Sequence, residues 1–365
     1  MKPDFAAEDL RAAVAAGVLT EEQATKLRVL VEERHGYRSA MAEDEEPFEF
    51  FRGFSEIFVA VGIGILFSGI FFLVALILIG IFGANAGVAS GIAAAALAWI
   101  FAEYFTRRRR MSLPSILLAT IFAFSISSAA GLAVFDEGIG ITRTPIWTSG
   151  VGFAAMLIYF WRFRLPFVMF LLGIFGIGIV FSGTGVFTSG LLSLATETPI
   201  RALFDLSTGS RASLATLTFG LAAFAVAMAF DLRDPHRISR FSASAFWLHV
   251  LAAPALVNTI ATTLYNSGGA LGYALTVCAL AFVTIVALII DRRSFLTAGL
   301  AYFAILLSLA LENTGTDWDF VGTLLILGAF ITLVGSGWSS IRSIIMRALP
   351  NFPLKNRLPP YSETP

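Results

Sequence analysis

Chemistry in this chain has to be sought at ionisable side chains set inside apolar runs, because one charge at the centre of a membrane-spanning helix costs about 2.5 to 3.5 kcal/mol and is kept only for a reason. Glu103 is the one carboxylate well inside such a run, and it stands four residues before Arg107. That spacing puts both on one helix face and predicts an ion pair at a helix end in place of a proton relay. The run 242–265 carries His249, Pro254 and Asn258, which form a candidate polar or substrate site. By helical rise His249 lies about 12 Å from the start of the run, near mid-depth, and Pro254 removes an amide hydrogen and frees the carbonyl of Val250. Residues nine apart lie about 900° around a helix, so His249 and Asn258 point to opposite faces and each is expected to bond a neighbouring helix.

The remaining reactive residue types do not assemble into a catalytic set. His35, His236 and His249 fall in three separate regions, too dispersed for a metal site, and Cys278, the single cysteine, lies inside an apolar run. Ser90 precedes Gly91 as in an intramembrane serine protease, but Val88 stands where that pattern needs glycine, and His249 would be its only base. No phosphate-binding loop of the ATPase type occurs. The expectation is therefore no catalytic residue, no metal and no cofactor: the chain is not read as an enzyme. Formal net charge is zero, which gives no electrostatic footprint for nucleic acid.

The elements that must position these residues follow from composition. Of 365 residues 57% are apolar and 14% charged, too apolar for a water-facing surface, so lipid is the expected solvent. Apolar runs without alternation, such as Ile70 to Ile81, argue for helices over barrel strands. The fold class expected is an all-α integral membrane protein, a polytopic bundle of about ten transmembrane helices. Spans are placed at 57–82, 84–105, 113–135, 146–161, 165–182, 213–230, 242–265, 270–290, 295–311 and 318–338. The polar first 50 residues do not read as a signal peptide.

Orientation follows from basic residues. With a cytoplasmic N-terminus, 22 of the 25 Lys and Arg residues fall in internal loops and tails, and only Arg143, Arg201 and Arg211 fall outside. This split puts both termini in the cytoplasm. Trp147 with Trp161, and Trp318 with Trp338, bracket two spans as interfacial belts do. Gly87 with Gly91 and Gly268 with Gly272 have the small-xxx-small spacing of close helix packing, and Gly62, Gly69, Gly173, Gly176 and Gly178 add further notches.

Outside the bundle, residues 1–39 read as a cytoplasmic helical hairpin: a helix ending at Gly17, then Thr20 capping a second helix with Gln23 at the capping-box distance. Residues 40–56 form an acidic and aromatic linker, 57–338 the bundle, and 339–365 an amphipathic helix that continues the last span onto the headgroups, followed by a Pro-rich tail. In the long outer segment 182–212, Thr198 before Pro199 predicts a short helix.

The segment from Asp9 to Arg34, DLRAAVAAGVLTEEQATKLRVLVEER, resembles the "helix, Gly, turn, EEQ, helix" start of a family of predicted bacterial membrane proteins of unknown function. The acidic linker, the aromatic FRGFSEIF and the apolar hairpins match that layout. The resemblance implies a bacterial inner membrane and carries over no catalytic or binding residue. Two functional readings result. The first is a non-catalytic anchor or scaffold embedded in membrane lipids, with a protein partner at residues 1–50. The second is a secondary transporter or permease for an uncharged or lipidic small molecule, with the His249, Pro254 and Asn258 region as its site.

Overall fold

The computed structural model describes residues 7–21, 23–24, 27, 54–136, 144–184, 204–235, 237, 240–312, 319–359 and 361. Two compact units divide the chain, Met1–Glu46 and Pro47–Pro365. In the first, helix α1 spans Ala7–Ala15. Gly17 ends it at a φ of +72°, a left-handed conformation that costs glycine nothing. The Gly17 amide bonds the Val14 carbonyl at 3.0 Å and the Val18 amide bonds that of Ala13 at 3.0 Å, the reciprocal pattern that closes a helix C-terminus. The capping box follows as expected: the Thr20 amide donates to Gln23 Oε1 at 3.0 Å and the Gln23 amide to Thr20 Oγ1 at 3.2 Å. Most of the second arm of the expected hairpin lies outside the described residues.

In the second unit the helices are α2 (Phe54–Phe82), α3 (Ala86–Ala102, prolonged by a π-helical turn Glu103–Arg108), α4 (Ser112–Asp136), α5 (Thr144–Phe163) and α6 (Val168–Ser182). They continue as α7 (Arg211–Asp231), α8 (Arg240–Asn266), α9 (Gly269–Ile290), α10 (Ser294–Glu312), α11 (Asp319–Ser336) and α12 (Trp338–Ala348). Among the described residues there is no strand. Helix is found in each of the ten segments expected to be spans, and among the described residues six helices, α2, α3, α4, α7, α8 and α9, are long and apolar enough to cross a membrane. A seventh is added if α11 and α12 are taken as one bent span. Helix α6 falls short with 15 residues, about 22 Å of rise. The apolar surface of α2 is exposed along its length, at Phe58, Ile65, Phe72, Leu76 and Ile81 among others. Water would not tolerate that surface, whereas lipid matches it.

Contacts at the helix ends show how the helices alternate. The Glu56 carboxylate, on α2, accepts from the amides of Ser112 at 3.1 Å and Leu113 at 3.2 Å, so it caps the positive end of α4. Glu103 pairs with Arg107 at 3.1 Å, as its spacing predicts, and also with Arg162 at 2.9 Å. Both contacts lie where the arginine-rich turns gather, here termed the basic end. At the far end, Asn266 donates to Asp205 at 2.7 Å, tying the segment before α7 to the end of α8. A short 3-10 turn, Leu206–Thr208, follows Asp205. The expected helix at Thr198 lies outside the described residues.

Packing is set by small and aromatic residues. Trp99 lies against Phe122, Tyr159 and Phe163, with centroids 5.5, 5.7 and 5.0 Å away, joining α3, α4 and α5. A Cβ on Gly91 would meet the Ala129 Cβ at 2.8 Å, and one on Gly87 would meet Leu132 at 3.0 Å, so this glycine pair packs α3 onto α4. Gly268 and Gly272 do otherwise: Gly268, at φ +75°, makes the α8–α9 turn, and Gly272 sits against Ser267 and the Leu264 carbonyl of that turn. Gly173, Gly176 and Gly178 serve as notches, whereas Gly62 and Gly69 face open space.

Helix α12 is a separate helix set at 69° to α11 across Gly337. Trp338 is not an interfacial belt residue: it is buried, packed beside Phe295 and Leu288 in a core cluster. Trp147 and Trp161 are exposed, as a belt requires.

Candidate functional site

Small residues bring α7 and α8 together. Ala212, Thr216, Gly220, Ala223 and Ala227 line one face of α7, and Ser242, Ala245, Ala252 and Thr259 line the facing stripe of α8. A Cβ on Gly220 would meet Leu256 at 2.9 Å and Ala255 at 3.1 Å, so the two backbones approach closely. His249 belongs to the same α8 stripe, and Asp231 ends α7. The approach therefore sets His249 Nε2 at 2.9 Å from Asp231 Oδ2.

Arg292 completes the group from the α9–α10 turn. Its Nε donates to Asp231 Oδ2 at 3.1 Å and its Nη2 to Asp231 Oδ1, a two-point pairing of guanidinium fork and carboxylate. Nη2 also donates to the Ser242 carbonyl at 3.1 Å. Arg292 and His249 are each 0% exposed. An isolated buried guanidinium would be untenable, so carboxylate and carbonyl together hold it in place. Asp231, paired with Arg292, can only accept, so Nε2 of His249 carries the proton of that contact. Among the described residues none hydrogen-bonds Nδ1; the imidazole lies edge-on to Phe224 and Phe295, each 5.7 Å away by ring centroid.

A second group adjoins the first through the peptide bond to Asp291. This aspartate adopts φ +57° and ends α9 in the left-handed conformation that Asp accepts more readily than most residues. Its carboxylate takes Arg237 Nη1 at 2.9 Å and Trp338 Nε1 at 2.6 Å, with Arg342 Nε at 3.9 Å. Arg342, also buried, donates to the Leu288 carbonyl at 3.1 Å and to that of Pro359 at 2.6 Å. The turn Asp291–Arg292 thus fastens α7, α8, α9, α12 and the C-terminal tail at one end of the bundle.

Of the expected site residues, His249 is central to this cluster: nine residues, about 13 Å, into α8, it meets the last residue of α7 and, through that carboxylate, Arg292 of the turn after α9. Helix α8 runs through Pro254 as one helix, with Pro254 half-buried. Asn258 sits on the α10 side, its carbonyl 3.5 Å from Tyr302 Oη, which meets Thr262 Oγ1 at 2.7 Å. Nine residues of helix, about 13 Å, separate it from His249. Asp231, Asp291, Arg292 and Arg342 were not singled out as site residues, since charges flanking apolar runs read as solvated turn residues. The signal was present in DLRDP and DRR, where acid and base stand side by side at two turns of the same end.

The cluster can hold charge and fix geometry. It offers no exposed nucleophile, and among the described residues no three His, Cys, Asp or Glu side chains converge as metal ligands. Fold and site together define a helical multi-pass membrane-type architecture with a buried ionic fastening at one end. No protein-family model matches the chain, and no curated protein or solved structure matches it either.

Proposed function

We propose that this protein is a multi-pass bacterial inner-membrane protein, with about ten crossings and both termini in the cytoplasm, that acts without catalysis as an anchor or scaffold. Residues 1–50 bind its protein partner. The observation that carries this reading is the use to which His249 is put: the side chain best suited to a transport site is fully buried and committed to Asp231 beside Arg292. A permeation pathway needs its polar groups facing water at some stage, and this one faces aromatic rings. Alternation of the helices, with Glu56, Glu103 and Asp231 finding partners at one end and Asp205 at the other, supports an even number of crossings. The concentration of arginine at the first of these ends supports its cytoplasmic placement. In the N-terminal unit, Val18 is 73% exposed, an apolar side chain suited to a partner's surface.

The test is the thermal stability of the purified protein against a panel of metabolites, ions and uncharged lipids, run beside His249→Ala. Ligand binding to the folded state alone raises stability by mass action. The scaffold reading expects no shift that depends on His249; a shift abolished by His249→Ala would install the transporter in its place. A photo-cross-linking residue at position 16 should in addition capture one discrete protein in cells, and the added substitution Val18→Asp should abolish that capture.

A further inference from the structure

Six arginines crowd two turns at the basic end: Arg107, Arg108, Arg109 and Arg110 between α3 and α4, and Arg162 and Arg164 between α5 and α6. The turns are neighbours, because one oxygen of Glu103 accepts from both Arg107 and Arg162. On α2 to α6 the acidic residues at this end are Glu56 and Glu103, and Glu56 is engaged by the amides of Ser112 and Leu113. Among the described residues of α2 to α6 at this end, six arginines therefore stand against two carboxylates. Arg107 to Arg110 and Arg164 are exposed.

The backbone departs from regular geometry to present them. Helix α3 loosens into its π-helical turn over Glu103–Arg108, with the Arg109 amide reaching back to the Tyr104 carbonyl at 3.0 Å. Arg110 and Arg164 then adopt φ values of +54° and +50°, where glycine would be unstrained and arginine is not. Arg109 lies over the Tyr104 ring, 5.8 Å from its centroid, with Nε 3.1 Å from the hydroxyl. Beside the second turn Trp161 is 77% exposed, an indole placed for the headgroup level.

We propose that these two turns form a binding site for paired phosphates, supplied by a two-phosphate anionic lipid of the cardiolipin type. Guanidinium forks bind phosphate oxygens two at a time, and two separate turns match two phosphates on one glycerol bridge better than they match a single one. Basic pockets between membrane helices at the cytoplasmic face suit such headgroups. The site goes beyond the scaffold reading and does not depend on a protein partner.

The experiment uses the full chain, purified free of lipid in neutral detergent, with cardiolipin, phosphatidylglycerol, phosphatidylcholine or pyrophosphate added; melting temperature and native mass spectrometry are read. Cardiolipin should stabilise the protein and bind about tenfold more tightly than phosphatidylglycerol, with phosphatidylcholine inert. The variant Arg108→Gln/Arg109→Gln/Arg110→Gln/Arg164→Gln should lose that preference while keeping its lipid-free melting temperature, whereas Arg347→Gln/Arg357→Gln should retain it. If the fourfold variant does not fold, Arg109→Gln and Arg164→Gln singly should each weaken cardiolipin binding. Pyrophosphate binding as tightly as cardiolipin would keep the diphosphate site and give it a soluble source. Equal binding by wild type and the variants of these turns, or equal loss in the Arg347→Gln/Arg357→Gln control, would overturn the proposal. Because His249 plays no part in it, the His249→Ala panel and this one fail independently.

Discussion

Asp231 and Arg292, 61 positions apart in the chain, face one another across the end of the bundle with both carboxylate oxygens on the guanidinium fork. The sequence around each, DLRDP and DRR, sets acid beside base but does not name the partner across the bundle. Removing one partner of such a buried pair strands the other, at a cost of about 3 to 5 kcal/mol, while replacing both by apolar residues of similar size is often neutral. Arg292→Met alone should therefore destabilise strongly, and Asp231→Leu/Arg292→Met should recover most of the loss. Thermal unfolding of the wild type and these two variants in one detergent checks this; equal loss in the single and the double variant would show that the pair is not the source of stability.

Asp205 provides a pH-dependent contribution at the far end, outside the helices. Desolvation pushes its carboxyl up, but hydrogen bonds from the Ser207 hydroxyl, the Asn266 amide and the Ser207 backbone N–H outweigh it and hold the pKa below the ordinary carboxylate value. A pKa depressed by folding adds stability above the unfolded value, about 3.9, and that stability is lost as pH falls through the folded value. Wild type should exceed Asp205→Ala by about 1 to 3 kcal/mol at neutral pH, with the gap steady down to about pH 5 and closing below about pH 4. Melting curves of both proteins across that range measure it, and a gap that widened on acidification would contradict the assignment.

Two helical glycines should respond in opposite senses. A methyl at Gly91 would meet Ala129 and the Ser125 carbonyl at 2.8 and 3.0 Å, so Gly91→Ala forces α3 away from α4 and should cost about 1 to 3 kcal/mol. At Gly62 nothing lies within 4 Å, and Gly62→Ala should gain about 0.5 to 1 kcal/mol through helix propensity. Comparing the two melting temperatures separates a packing seam from a lipid-facing surface.

The capping box at Thr20 and Gln23 makes a local prediction. Thr20→Ala removes the oxygen that receives the Gln23 amide and should weaken that helix start by about 0.5 to 2 kcal/mol. Amide exchange at Gln23 and Ala24 should quicken while the amides of the membrane helices stay unchanged; no change at Gln23 would mean that the cap contributes nothing in solution.

Much of this architecture is written locally. Apolar runs without alternation determine that the chain is helical and suited to lipid, Gly17 and Thr20 mark the end of one helix and the start of the next, and the four-residue spacing of Glu103 and Arg107 yields its ion pair. Each rests on interactions within a few residues, where sequence distance and spatial distance agree. What only the tertiary structure decided is which turn charges leave water. Asp231, Asp291, Arg292 and Arg342 look in sequence like any other residues flanking a span. Small residues along α7 and α8 bring the backbones together, fix their relative height and set His249 against the last residue of α7. Burial of a charge depends on that offset and on partners tens of residues away, and neither is encoded in the spacing of residues along one helix.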